Sequence, residues 1–214
     1  MTIILAGIPG AGKSTVLNAL KSTCPSVTVV NYGEMMLQEA AHLGLDRDSL
    51  RQLPIDKQQD IGVAASHRIA HLDSELTIVD THACIKTPFG YCPGLPQKIL
   101  NVLCPNALVM VQATPATILE RRQFDHSRKR DEESLDQLAQ HQELTQAYLV
   151  SASVITGAIF CVINNDVEDV FQSITPLVQL VEMMERSGLS KLVQDYQLPT
   201  TSEIKHGNSK KSVV

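Results

Sequence analysis

The sequence lacks an excess of positive charge, and it lacks any apolar run long enough to cross a membrane. Its 18 basic and 23 acidic residues give a formal net charge of −5 at pH 7. A general polyanion-binding protein is more often basic, so nucleic acid is not expected as the main partner. The apolar residues at the start follow no basic segment and break at Gly7, which indicates a strand and not a signal peptide. No stretch reaches the roughly 20 apolar residues of a membrane span, so no membrane partner is expected.

The cysteines also lack the pattern that a disulfide framework or a zinc site requires. There are 5 of them, scattered along the chain, with no CxxC pair. Free thiols in a reducing cytosol fit this pattern better, and we therefore expect a cytoplasmic protein. With 43% hydrophobic residues among 214, the chain can bury one sizeable core, which predicts one domain over residues 1–186. Residues 187–214 turn polar and predict a C-terminal tail.

Short apolar segments alternate with segments of helical periodicity along this predicted domain. The predicted strands cover residues 3–6, 27–31, 76–81, 107–113 and 158–164. The alternation predicts an α/β fold, with a five-stranded parallel sheet covered by helices on both faces. Ligands of such sheets bind beyond the carboxyl ends of the strands.

Three further local patterns complete the predicted secondary structure. Residues 82–96 are rich in glycine and proline and predict a long loop. One long helix is predicted over residues 131–156, and the last helix of the domain over residues 166–186. Thr114 and Pro115 have the residue types of a helix N-cap and first helical position.

A glycine-rich turn follows the first strand and opens a helix. Its residues, which we expect to bind ATP, are Gly7, Ile8, Pro9, Gly10, Ala11, Gly12, Lys13, Ser14 and Thr15. They fit the phosphate-loop pattern GxxxxGK[ST], in which glycines let several main-chain N–H groups point into one concavity. Lys13 supplies a positive charge for the β- and γ-phosphates, Ser14 can ligate Mg²⁺, and Thr15 can reach an α-phosphate.

Several motifs that would assign other functions to this loop are missing. A guanine-reading NKxD motif is absent, since "NNDV" at 164–167 has no lysine. A dinucleotide-binding GxGxxG motif fails because its third glycine is missing and a lysine stands in the loop. An AAA-type motor usually needs a longer chain. A small-molecule kinase remains, and it needs a second anion site and mobile cations around the transferring phosphoryl group.

A basic segment after the fourth strand meets that need. "RRQFDHSRKR" at 121–130 carries four arginines and one lysine, a choice that suits forked contacts to phosphate oxygens. A solvated charged face is the alternative, but the segment lies on the phosphate-loop side of the sheet, and we predict a lid. Asp80 ends an apolar strand and can hold Mg²⁺ through water. Arg51 could bind an acceptor phosphate or be a surface arginine.

The motifs together resemble one family. "VNYGEMM", "DRDSLRQL", "DTHACIKTPFGYCPGLP", "RRQFDHSRKRD" and "TGAIFCVINN" occur in this order, and over residues 1–186 the chain is similar to archaeal-type adenylate kinases. The resemblance implies a P-loop kinase fold and reversible phosphoryl transfer from ATP-Mg²⁺ to AMP, giving two ADP. It also implies an AMP-binding region over about 31–60, a short lid over about 121–131, and often a homotrimer.

The resemblance assigns roles to individual residues as well. The expected catalytic residues are Lys13, Arg121, Arg128 and Arg130, and the expected AMP-binding residues are Tyr32, Arg51 and Lys86. The sequence does not decide between Arg121 and Arg122 as the phosphate contact. It also leaves open a CMP or UMP kinase, GTP as donor, and an ATP-binding assembly factor with weak ATPase or kinase turnover.

Overall fold

The structure is a computed structural model that describes residues 1–87, 89–124, 133–166 and 169–187; the side chains of Arg51 and Ser187 are outside this description. The strands are β1 (Thr2–Ala6), β2 (Thr28–Asn31), β3 (Thr77–Thr81), β4 (Cys84–Thr87), β5 (Gly90–Pro93), β6 (Ala107–Gln112) and β7 (Ile159–Asn164). The helices are α1 (Lys13–Thr23), α2 (Tyr32–His42), α3 (Arg47–Gln52), α4 (Ile55–Ala70), α5 (Gln97–Leu103), α6 (Pro115–Phe124), α7 (Leu135–Thr156) and α8 (Val170–Ser187).

Five of these strands form the parallel sheet that the sequence predicts. Their order is β2-β3-β1-β6-β7, so the first strand lies at the centre. Ile4 of β1 is in register with Val79 of β3 on one side and with Leu108 of β6 on the other. The side chains of β1 are almost entirely apolar because both faces of this central strand are covered. The α/β fold prediction is confirmed.

Alternate residues of β1 pack into two separate hydrophobic cores. Ile3 and Leu5 pack on the face covered by α1 and α8, where the buried residues include Leu20 and Leu177. Ile4 and Ala6 pack on the opposite face with residues of α4, α5 and α7. Each face of the sheet therefore has its own helical layer, and the carboxyl ends of the strands stay open for a site.

The prediction of a long loop over 82–96 is wrong in part. Strands β4 and β5 pair there as an antiparallel hairpin, with Ile85 in register with Cys92 and Lys86 with Tyr91. Proline and glycine in "PFGYCPG" lower the strand propensity of this stretch and hide the hairpin from a periodicity argument. The hairpin is stabilised instead by packing on α7, where the rings of Tyr91 and His141 lie 5.1 Å apart.

Two helix starts also differ from the prediction. The helix α7 begins at Leu135 and not at 131, because Ser134 and Gln137 form a reciprocal capping box at its N-terminus. The last helix begins at Val170 and not at 166. The predicted cap of α6 is confirmed, since the backbone N–H of Thr117 donates to Thr114 Oγ1 at 3.2 Å.

None of the helices in the described part of the chain is long and apolar enough to cross a membrane.

Candidate active site

The glycine-rich turn lies between β1 and α1, at the carboxyl edge of the sheet. Gly7 allows β6 to come close, since a Cβ there would lie 2.4 Å from the carbonyl oxygen of Val111. Gly12 has a φ of +89°, and a Cβ there would lie 2.1 Å from Asn165 Nδ2. A side chain at either position would displace main chain or a buried amide, so the loop depends on its glycines. Ser14 and Thr15 follow in the first turn of α1 with exposed side chains.

The ammonium group of Lys13 lies where the carboxyl ends of the strands meet. Its Nζ donates to the carbonyl oxygen of Gly7 at 3.1 Å and lies 3.9 Å from Asp80 Oδ1. The Nε2 atom of His82 is 3.4 Å away. Asn31, at the end of β2, donates through Nδ2 to Asp80 Oδ2 at 2.9 Å. Parallel pairing of β1, β2 and β3 brings these side chains together from distant parts of the sequence.

Both arginines at the end of α6 lie against the main chain of the phosphate loop. Arg122 Nε donates to the carbonyl oxygen of Pro9 at 2.9 Å. Arg121 donates through Nη2 to the carbonyl oxygen of Asn165 at 2.7 Å and through Nη1 to that of Ala11 at 3.4 Å. The sequence could not choose between these two arginines, and the structure places both on the loop.

Asn165 is a site residue that sequence reasoning did not single out. It follows β7, is 2% exposed, and donates through Nδ2 to the carbonyl oxygen of Ala11 at 3.0 Å. Its position at the carboxyl end of a sheet strand, within "TGAIFCVINN", was the available signal. A single asparagine in a strand-ending pair is too common a pattern to identify a role without the fold.

A cavity of about 590 Å³ opens beside the phosphate loop. Its lining comes from the ends of β2 and β3, from α2, α3, α4 and α5, and from the hairpin; the polar lining side chains include Asn31, Tyr32, Glu34, Arg47, Gln58, Gln59, Asp80, Thr81, His82, Lys86 and Thr87. Asp80 and His82 line this cavity and also contact Lys13. The cavity and the phosphate loop are therefore parts of one continuous site.

Tyr32 and Lys86, both predicted to bind AMP, belong to the cavity wall. The Tyr32 hydroxyl donates to the carbonyl oxygen of Gly62 at 2.7 Å, and burial raises the pKa of Tyr32 to about 12. This hydroxyl therefore stays protonated and joins α2 to α4. Lys86 extends from β4, and its Nζ donates to Glu133 Oε1 at 2.8 Å.

The remaining predicted cations are only partly placed. The backbone of Arg51 belongs to α3, and its side chain lies outside the described part of the structure. Arg47 of the same helix lines the cavity and forms an ion pair with Glu34 at 2.5 Å. Arg128 and Arg130, predicted in the lid, lie outside the described residues. Arg47 is thus a cavity cation that the sequence analysis did not identify.

The fold and this site define a class of protein. A phosphate loop between a central parallel strand and a helix, beside a second polar cavity, is the arrangement of a P-loop kinase. Solved structures agree at the level of the fold. Shikimate kinase from Bacteroides thetaiotaomicron has a TM-score of 0.55 and 16% identity, and covers 85% of this chain and 98% of its own. Shikimate kinase from Aquifex aeolicus has a TM-score of 0.54 and 14% identity, and covers 85% and 96%.

Sequence comparisons identify the family within this class. A family model described as an AAA domain matches residues 6–139. An adenylate kinase of Pyrococcus horikoshii is 37% identical over 186 residues, 85% of this chain and 95% of the relative. An adenylate kinase of Thermoplasma acidophilum is 39% identical over 168 residues, 78% and 90% of the two chains. The chain belongs to the adenylate kinase family and is a nucleoside-monophosphate kinase of the P-loop type.

Proposed function

We propose that this protein transfers a phosphoryl group reversibly from ATP-Mg²⁺ to AMP, giving two ADP. The observation that supports this most directly is the continuity of the site: Asp80 and His82 contact the phosphate-loop lysine and also line the neighbouring cavity. A donor triphosphate on the loop and an acceptor phosphate in the cavity would then meet near Lys13. In-line transfer between two bound nucleotides requires this juxtaposition.

The residue roles follow from this arrangement. Main-chain N–H groups of residues 7–15, other than Pro9, and the N-terminus of α1 would bind the donor phosphates. Tyr32, Arg51 and Lys86 would bind AMP in the cavity. Arg121, Arg128 and Arg130 would neutralise the charge of the transferring group. No protein side chain need act as a base, because an AMP phosphate oxygen is already an adequate nucleophile.

The residues near Lys13 have the donor chemistry that Mg²⁺ prefers. The exposed Ser14 hydroxyl and the Asp80 carboxylate are hard oxygen ligands. Among the described residues no cluster of three or more His, Cys, Asp or Glu side chains could hold a metal alone. In kinases, Mg²⁺ is usually bound by only one or two protein ligands together with substrate phosphates. We propose that Ser14 ligates the ion directly and Asp80 through water; the ion would neutralise phosphate charge.

The quaternary structure and location are proposals as well. Val150, Val154 and Ile155 near the end of α7 and Ile159 at the start of the edge strand β7 are exposed apolar side chains, from 42% to 81% exposed. Such a surface favours burial in an oligomer, which supports the proposed homotrimer. The proposed cytoplasmic location rests instead on the five free cysteines. Sedimentation equilibrium of the purified chain would test this, and a monomer at micromolar concentration would contradict it.

A coupled assay with ATP-Mg²⁺ and one candidate acceptor at a time tests the catalytic proposal. We expect rapid ADP formation with AMP and slow or no turnover with CMP, UMP, GMP or no acceptor. Equal ADP formation without an acceptor would indicate an ATPase or an assembly factor. Preference for CMP or UMP would indicate another nucleoside-monophosphate kinase, and parallel assays with GTP would define the donor.

A further inference from the structure

Glu133 is a buried carboxylate that two cations share. Its side chain is 6% exposed and lies directly before Ser134, the N-cap of α7. Oε1 accepts from Lys86 Nζ at 2.8 Å, and Oε2 accepts from Arg122 Nη1 at 2.5 Å. Each oxygen therefore binds a different cation, and the two cations come from different elements, the hairpin and α6.

These two cations serve opposite sides of the active site. Lys86 lines the acceptor cavity. Arg122 is 8% exposed on its side chain and donates through Nε to the carbonyl oxygen of Pro9 in the phosphate loop. The contacts Lys86–Glu133–Arg122–Pro9 thus form one continuous path from the acceptor wall to the donor loop.

The carboxylate keeps its negative charge in this environment. Burial alone would raise the pKa of Glu133, but the hydrogen bonds and charges of Lys86 and Arg122 outweigh burial and hold the pKa below its ordinary value. Neutralising Glu133 would remove a counter-charge that the buried Arg122 and the more exposed Lys86 share, and would release the hydrogen bond that each cation makes to it. Loss of the carboxylate is therefore expected to displace both cations.

We infer that Glu133 is a positioning residue that fixes the acceptor-side Lys86 relative to the donor loop, through Arg122. The inference rests on the proposed function, because it assigns Lys86 to the acceptor nucleotide. An ammonium carries three N–H donors and a guanidinium five, so a carboxylate can orient both groups and still allow them to bind phosphate oxygens. Glu133 would then act on both substrates at once, through Lys86 and Arg122.

The test compares Glu133→Gln with Glu143→Gln, an exposed glutamate on α7. For Glu133→Gln we expect KM for AMP and KM for ATP each to rise about tenfold, the size of a lost charge-assisted contact of about 1.4 kcal/mol, with kcat changed less than about threefold. Glu143→Gln should leave both KM values unchanged. Thermal unfolding of both variants checks that they fold.

A double-mutant cycle with Lys86→Met separates positioning from general loosening of the structure. If Glu133 acts on AMP through Lys86, adding Glu133→Gln to Lys86→Met should change KM for AMP less than about twofold, yet still raise KM for ATP. If the two substitutions had additive effects on KM for AMP, the inference would be overturned. It would also be overturned if Glu133→Gln lowered the stability and left both KM values unchanged. A fall in KM for AMP would mean that the carboxylate blocks Lys86 and would also overturn it.

These outcomes are distinguishable from failure of the proposed function. If the wild-type protein does not phosphorylate AMP, the proposed function fails regardless of Glu133. Direct calorimetric titration of ATP would then still test the Arg122 half of the path, because Glu133→Gln should weaken ATP binding about tenfold and Glu143→Gln should not. Unchanged ATP affinity would overturn the inference in that case as well.

Discussion

The phosphate loop and the acceptor cavity lie side by side, yet they are built in opposite ways. The loop is nine consecutive residues, shaped by main chain, with Ile8 and Ala11 at most 1% exposed. The cavity takes its lining from several separate segments between Asn31 and Ile99. A local motif can fix the first kind of site, whereas tertiary packing must assemble the second.

The two regions also differ in how they connect to the cores. The loop sits on the large core that includes Ile3, Leu5 and Leu20. The outer helices of the acceptor side, α2 and α3, join α4 through a small cluster of Ala40, Leu50 and Ile61. A small apolar cluster gives lower local stability than a central core. Changes in the loop should therefore act on chemistry and folding together, and changes in the cavity more on acceptor binding.

Lys13→Ala should produce the largest effect, because it removes the cation at the junction of the two regions. We expect kcat to fall by at least about 10²–10³-fold, the usual cost of losing a transition-state charge contact. Lys21→Ala, an exposed lysine at the other end of α1, is the matched control and should change kcat little. Near-normal ADP formation by a folded Lys13→Ala protein would remove the phosphate loop from the mechanism.

Gly12→Ala tests whether the loop depends on its exact main-chain shape. The new Cβ would lie 2.1 Å from Asn165 Nδ2 and 3.2 Å from Arg121 Nη1, at a φ of +89°. Left-handed strain plus overpacking should lower the free energy of unfolding by about 2–5 kcal/mol. The KM for ATP should rise more than the KM for AMP, because the clash disturbs the donor loop.

Gly44→Ala is the control for that variant. Gly44 has a similar φ of +73°, but nothing lies within 4 Å of its added Cβ. Gly44→Ala should therefore show the backbone strain alone. We expect it to lower the free energy of unfolding, measured with denaturant, by about 1–2 kcal/mol. Equal losses at the two positions would mean that packing against Asn165 contributes nothing.

This contrast explains what could be predicted from the sequence. The five strands and the position of Lys13 follow from local apolar runs and a contiguous motif. The hairpin could not be predicted in the same way, because "PFGYCPG" reads as loop and becomes strand only by packing on α7. Asn165 contacts Ala11, which is 154 residues away, and Glu133 contacts Lys86, which is 47 residues away, so no local spacing could assign them. Arg47 pairs with Glu34 from a neighbouring helix, and no helical or strand periodicity links these two positions.

Tyr32→Phe should affect AMP binding but not ATP binding, and its effect should be smaller than that of the phosphate-loop variants. It removes the hydroxyl that donates to the Gly62 carbonyl oxygen and joins α2 to α4. Loss of this buried hydrogen bond and of the weaker 3.3 Å contact to Ser66 Oγ should lower the free energy of unfolding by about 1–2 kcal/mol. We expect KM for AMP to rise a few fold while KM for ATP stays constant.

Tyr148→Phe is the matched control for this change. Its hydroxyl lies 3.5 Å from the carbonyl oxygen of Tyr91, at the limit of a hydrogen bond. Tyr148→Phe should therefore lower the free energy of unfolding by less than about 0.5 kcal/mol. A rise in KM for ATP with Tyr32→Phe would show that the two regions are coupled more tightly than their separate contacts indicate.

The smallest effect concerns pH and the hairpin at the edge of the acceptor cavity. His141 is buried behind β4, with Nε2 3.3 Å from the carbonyl oxygen of Cys84. Burial lowers the pKa of His141 below its ordinary 6.5; the Cys84 carbonyl and Glu133 oppose this shift, and Arg122 and Lys86 add to it. The folded protein therefore takes up this proton at lower pH than the unfolded chain does.

The sign of the pH dependence follows from that difference. The stabilisation is complete above pH 6.5 and decreases as the pH falls from there toward the lowered pKa of the folded state. The slope from one such group cannot exceed about 1.4 kcal/mol per pH unit. Denaturant unfolding of wild type and His141→Gln at several pH values isolates this histidine from the other titrating groups. We expect the wild type to lose stability relative to the variant below pH 6.5. Parallel curves would mean that folding does not change the pKa of His141.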